Sequence, residues 1–223
     1  MKCKLVVNAI TKFLVGAIMI GALLFIPAGT FYYWNGWLFM GILFVPMFFL
    51  GLILLLKAPD LLAKRLQSNE KESEQKIVIL LSLFIFVGGF VLSALDFRFG
   101  WSDLPTWIVI LAAVIMLGSY GLYAEVMREN AYLSRTIEVQ ENQKVIDTGL
   151  YGVVRHPMYF ATTIMFLSCP IVLGSWIFFF IFLVYPILMV KRIKNEELVL
   201  EQGLQGYNEY KQKVKYRMIP FIW

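Results

Sequence analysis

At 223 residues, with 60% hydrophobic and only 16% charged residues, the chain departs far from a soluble globular domain, where about 45–50% are apolar and about 25% charged. Two cysteines, Cys3 and Cys169, exclude a disulfide framework, and a single histidine cannot build a Cys/His metal centre, so no metal is expected. The net charge of +5 raises nucleic acid as a partner, but the placement of the basic residues accounts for it otherwise.

Taken in chain order, apolar runs cover Phe13–Ala28, Trp37–Leu56, Ile77–Leu95 and Trp107–Tyr123. Each approaches the roughly 20 residues that cross a bilayer as a helix. The first is read as a retained span, since no small-x-small cleavage site precedes the Phe31-Tyr32-Tyr33-Trp34 cluster. Asp60 and the mixed-charge run Lys64–Lys76 read as a solvated loop. A fifth run, Tyr159–Val190, is too long for one span and is broken by Cys169-Pro170 and Gly174-Ser175, which predicts a helical hairpin. The expected fold is therefore all-α and polytopic, with about six transmembrane helices. We expect a four-helix membrane region over 1–124 and a catalytic region over 125–223 that carries the hairpin 159–190 and a polar tail.

Orientation follows from the basic residues. With six spans, 19 of the 20 Lys and Arg residues fall on one side and only Arg98 on the other. Both termini are thus expected in the cytoplasm, and the positive charge reads as a topology signal, not a nucleic-acid footprint. The same loops are suited to anionic lipid headgroups. Few charges interrupt the spans, which argues against an ion pathway or transporter.

Two polar stretches remain, Glu125–Arg155 and the segment after Lys191. The hairpin joins them, so their inner ends should meet at the membrane surface and form a small-molecule site. In the first, His156-Pro157 suits a helix start, because proline's missing N–H costs nothing there. In the second, Arg192 and Glu196 are four apart and share a helical face, which by spacing alone is equally well a simple ion pair. Tyr207 and Tyr210 read equally as interfacial packing, and Glu125 and Arg128 as a cap and a snorkelling cation.

The runs Gly149-Leu150-Tyr151, Arg155-His156-Pro157 and Tyr159, then Arg192-Ile193-Lys194-Asn195-Glu196-Glu197, Gly206-Tyr207 and Tyr210-Lys211, and finally Arg217-Met218-Ile219-Pro220-Phe221-Ile222-Trp223, resemble a known family. They are similar to the isoprenylcysteine carboxyl methyltransferases and related phospholipid methyltransferases, especially the small prokaryotic members. The resemblance implies an integral-membrane enzyme of a prokaryotic cell membrane that takes a methyl group from S-adenosylmethionine (AdoMet) without a Rossmann fold. The acceptor it implies is lipophilic, a carboxylate as in isoprenylcysteine O-methylation, with a phospholipid amine as the alternative. It also implies that Tyr151, His156, Pro157, Met158 and Tyr159 contact AdoMet, that Val145 and Ile146 line its adenine side, and that Gln140 adds a contact. Glu196 is assigned to the cofactor, Arg192 to catalysis and the acceptor's carboxylate, and Glu197 to support or to service as a base. The C-terminal half also resembles the NADPH-using sterol reductases, whose comparable turn reads Arg-His-Pro-Asn-Tyr where Met158 stands here.

Overall fold

A computed structural model describes residues 2–67 and 73–223. Among these residues there are nine α-helices and no strand: α1 (Lys2–Ala28), α2 (Trp34–Lys57), α3 (Pro59–Leu66), α4 (Ser73–Phe99), α5 (Thr106–Glu129), α6 (Pro157–Val172), α7 (Trp176–Phe182), α8 (Val184–Gly203) and α9 (Tyr207–Lys213). A single 3-10 turn covers Gly149–Gly152. Lys71, which entered the orientation count, lies outside the described residues, as does part of the Lys64–Lys76 run.

The all-helical expectation holds, and α6 forms a shorter arm of the expected hairpin. Five stretches are long and apolar enough to cross a membrane: Lys4–Ala28, Trp34–Lys57, Gln75–Phe99, Thr106–Glu129 and Trp176–Gly203. The first hairpin arm, α6, has 16 residues, about 24 Å at 1.5 Å per residue, short of a hydrocarbon core of about 30 Å. The second arm continues past Val190 as helix to Gly203 and so carries Arg192, Glu196 and Glu197 rigidly out of the apolar layer. The protein is a multi-pass membrane protein, and Ile18, Ile26, Leu56, Phe84 and Trp107 on its outer faces are largely exposed, as lipid-facing side chains are.

The predicted hairpin turn lies where Gly174 takes φ +80°. Ser175 caps α7 by accepting from the Phe178 amide at 3.1 Å and donates to Asp96 Oδ2 at 2.5 Å. Ser102 donates to the same carboxylate through its hydroxyl at 2.7 Å and its amide at 2.6 Å. Tyr33 donates to the Leu173 carbonyl at 2.7 Å and Asn35 to that of Val172 at 2.9 Å. These bonds satisfy buried polar groups of the turn and fix the hairpin against α2 and α4. Along α4, a Cβ on Gly89 would stand 1.8 Å from Phe178 Cε2, and Phe178 is fully buried. Gly89→Ala should therefore push α4 off α7 and cost about 1–3 kcal/mol of stability, read as a lower thermal midpoint of the purified protein in detergent.

The second loop is not wholly solvated, as its charges had implied. Pro59 at the start and Asp60 in the first turn begin helix α3, whose Leu61 and Leu62 are buried, Leu61 with Val126, Met127, Leu133 and Tyr151. That packing sets α3 against the loop that follows α5.

Candidate functional site

Between α5 and α6 the chain runs from Asn130 to His156 without regular structure except the 3-10 turn. Side chains therefore hold it. Glu129 accepts from the Leu150 amide with both carboxylate oxygens, at 3.0 and 3.2 Å. Gly149 has φ +54°, and a Cβ there would lie 1.7 Å from Glu129 Oε1, so only glycine permits this approach. Asn130 donates to the Tyr151 hydroxyl at 2.9 Å, and Tyr210 donates to the Tyr151 carbonyl at 2.7 Å. Leu204, Tyr207, Tyr210 and Val214 form a small apolar cluster on which Val139 and Val145 rest. The turn then pairs with the tail, the amides of Arg155 and His156 donating to the carbonyls of Tyr216 and Arg217 at 2.9 and 2.8 Å.

This pairing gathers a buried charged cluster. Glu197 is 2% exposed; its Oε1 accepts from Arg155 Nε at 2.7 Å and lies 3.3 Å from His156 Nε2, while its Oε2 accepts from Arg217 Nε at 2.7 Å. Arg155 also donates through Nη1 to the carbonyls of Val214 and Lys215. One residue back on α8, Glu196 accepts from the Tyr159 hydroxyl at 2.5 Å and lies 4.0 Å from His156 Nδ1. The same hydroxyl accepts from Arg192 Nε at 2.9 Å. Arg192 and Glu196 thus share the face their spacing predicts, with a phenol between them. Arg192 further donates to Gln75 Oε1 at 3.0 Å and to the Arg135 carbonyl at 2.9 Å.

Two cavities meet at this point. A narrow polar cleft of about 100 Å³ is lined by Val145, Ile146, Tyr151, His156, Met158, Tyr159, Arg192 and Glu196, so eight of the expected residues come together in one wall. A second cavity of about 780 Å³, mostly apolar, lies among α2, α4, α5, α6 and α8. Ser134, Met158, Tyr159 and Arg192 line both. Burial pushes the phenols of Tyr151, Tyr207 and Tyr210 above their ordinary range, so each remains a neutral donor.

Three expected residues do not face the cleft. Gln140 turns its amide to the Tyr132 carbonyl at 2.5 Å and serves the loop's own fold. Pro157 is buried as the first residue of α6. Glu197 does not line the cleft, and its two oxygens accept from Arg155 and Arg217. The pairing of Glu125 with Arg128, at 2.8 Å on the exposed end of α5, replaces the expected cap and snorkelling cation. Sequence reasoning missed Gln75, which braces Arg192, and Arg65 on α3, which lines the larger cavity. It also counted Arg155 only as a topology charge and gave it no partner, whereas Arg155 is buried against Glu197.

Residues 107–205 match the model of the phospholipid methyltransferase family. That family is part of the isoprenylcysteine carboxyl methyltransferase-like superfamily. The match begins at Trp107 in α5 and runs through the cleft to Gln205, leaving α1 to α4 outside it. The chain is also 24% identical over 136 residues to a Delta(14)-sterol reductase of Methylotuvimicrobium alcaliphilum, covering 54% of this chain and 32% of that protein. It is 32% identical over 91 residues to the Delta(14)-sterol reductase TM7SF2 of Mus musculus, covering 40% of this chain and 22% of that one. The chain thus spans a third or less of the length of these curated relatives. The matched segment holds the hairpin, the histidine turn and the acidic pair of α8 together.

Proposed function

We propose that the protein is an AdoMet-dependent methyltransferase acting on a lipophilic carboxylic acid, with cofactor and termini on the cytoplasmic side. The observation that carries this reading is the Glu196–Tyr159–Arg192 bridge in the wall between a polar cleft and an apolar cavity. The cleft's chemistry fits the cofactor. Glu196 offers a carboxylate to a ligand that is cationic at its sulfonium and α-amino groups. Tyr207, which lines the cleft, has a buried hydroxyl with no partner of its own among the described residues, an acceptor or donor left for a bound polar group. At about 100 Å³ the cleft is tighter than the 300–1,000 Å³ typical of small-molecule sites, so binding requires the loop over residues 130–148 to part from α8.

When bound, AdoMet supplies an electrophilic methyl group. The residues supply position. Val145 and Ile146 give the adenine an apolar face, with Tyr151, His156 and Met158 along the same wall and Gln140 and Pro157 fixing the backbone that presents them. Tyr159 shares its hydroxyl between Glu196 and Arg192, which ties the carboxylate that receives the cofactor to the guanidinium that receives the acceptor. Arg192 orients an acid headgroup with its guanidinium. The acceptor must reach the methyl group in line, within roughly 3–3.5 Å, and alignment with exclusion of water supplies most of the acceleration. An ionised carboxylate needs no base, which agrees with the absence of Glu197 from the cleft wall.

Calorimetric titration with AdoMet and with NADPH tests the assignment. Binding of AdoMet but not NADPH is expected, and the reverse would overturn it. Alkali then separates the acceptors, because a methyl ester is cleaved and a methylated amine is not. A second reading, a reductase transferring hydride to a lipophilic substrate, is favoured by the two Delta(14)-sterol reductase relatives. Against it stands Met158, where the comparable turn of the reductases reads asparagine. Tyr207→Phe gives a finer test. It deletes an unpartnered hydroxyl, so stability should stay unchanged or rise slightly, while AdoMet affinity should fall about five- to tenfold, the worth of one ligand hydrogen bond of about 1 kcal/mol or a little more.

A further inference from the structure

The larger cavity has an uneven charge. Its described lining includes three arginines, Arg65, Arg135 and Arg192, and neither an aspartate nor a glutamate. Glu196 and Glu138 face the polar cleft instead. A guanidinium beside an apolar cavity is held at a desolvation cost that an anion from the ligand relieves.

Arg65 is the one that the superfamily segment does not supply, because α3 precedes residue 107. Its side chain is positioned before any ligand arrives. Nη1 donates to the Ser134 carbonyl at 3.0 Å and lies 3.7 Å from Met158 Sδ, and Nη2 donates to the Tyr123 hydroxyl. The guanidinium carbon stands 5.5 Å from the Tyr123 ring centre. All these partners are neutral. Ser134 and Met158 line both cavities, so Arg65 stands at the neck where the reacting head of a lipid would sit. The rest of the cavity, walled by Leu43, Val78, Phe86, Met165 and Phe166, is apolar. Its volume of about 780 Å³ falls within the 300–1,000 Å³ that encloses one small ligand, which suits one hydrocarbon chain.

We propose that Arg65 is a specificity-determining residue that selects a single-chain lipid with a carboxylate head, gripping the acid from α3 opposite Arg192. The inference rests on the methyltransferase reading for the use of that acid as methyl acceptor, though not for its binding. A guanidinium held by neutral partners in apolar surroundings discriminates against a neutral or cationic head, because neither offers Arg65 a counter-charge.

The test is binding of a fluorescent polyene fatty acid to the purified full chain in detergent, competed with palmitate, methyl palmitate or hexadecylamine. Palmitate should compete at least tenfold better than the ester or the amine. Arg65→Ala should erase that preference, lowering palmitate affinity about tenfold with little effect on the ester, and Arg65→Lys should restore part of it. AdoMet affinity, measured on the same preparations, should not change between the wild type and these variants. Equal competition by acid and ester in the wild type, or an unchanged preference in Arg65→Ala protein of normal thermal midpoint, would overturn the proposal. Arg65-dependent palmitate binding in a protein that does not bind AdoMet would support the acid-reading role and sink the methyltransferase reading alone.

Discussion

Glu197→Gln is expected to cost about 3–5 kcal/mol of stability, the usual effect of removing one partner from a buried ion pair, and to lower methyl transfer at least a hundredfold. Three donors converge on this carboxylate from separate parts of the chain: Arg155 and His156 in the turn before α6, and Arg217 in the tail. Glutamine keeps the shape but offers one oxygen in place of two, and turns an N–H₂ group toward a guanidinium or the imidazole. Arg155 is 6% exposed and has no water to fall back on. Its bonds to the Val214 and Lys215 carbonyls hold it in part, but they leave the charge itself unpaired. The damage should reach the cleft, because the amides of Arg155 and His156 pair with the tail at this point and the wall residues His156, Met158 and Tyr159 follow directly. Reduced AdoMet affinity with Glu196 untouched, together with a lower thermal midpoint, would show that the effect travels through position. Glu197→Asp keeps the charge on a shorter arm and should fall between. A stable, fully active glutamine variant would contradict the role.

Much of the fold was legible because a long apolar run in water-free surroundings has few solutions. The four N-terminal runs and the hairpin turn at Gly174-Ser175 follow from length and from glycine and proline alone. Their ends were less legible. α1 begins at Lys2, eleven residues before the apolar run, since Asn8, Thr11 and Lys12 interrupt hydropathy without breaking a helix. α3 carried start signals in Pro59 and Asp60, but eight mixed-charge residues give too short a period to read. The site shows the same division. The turn at His156 and the face shared by Arg192 and Glu196 were visible as local patterns. Gln75, Arg65 and Arg217 were not, because each meets its partner across a distance of 20 to 117 residues that no local spacing encodes. A count of basic residues gives Arg155 a side of the membrane and no partner, and its burial on Glu197 lies beyond what such a count reads.

Glu196→Gln and Arg192→Ala should each reduce turnover at least a hundredfold while leaving a folded protein in the membrane, and they should do so in different ways. Glu196→Gln removes the carboxylate from the cleft side, so AdoMet affinity should fall about thirtyfold or more and acid-lipid binding should persist. Arg192→Ala removes the guanidinium that lines both cavities. AdoMet affinity should then change little, while acceptor affinity and the rate at saturating acceptor both fall, since orientation as well as binding is lost. The two residues are not independent, because the Tyr159 hydroxyl donates to one and accepts from the other. Tyr159→Phe removes both bonds and keeps both charges, and should cost less than either charge variant, about ten- to thirtyfold in rate. The double variant Glu196→Gln/Arg192→Ala should lose less than the sum of its parts, since the first change already frees the phenol that the second would release. Wild-type turnover in both single variants would refute the assignment. Strict additivity would break the link through Tyr159 while leaving the separate roles in place.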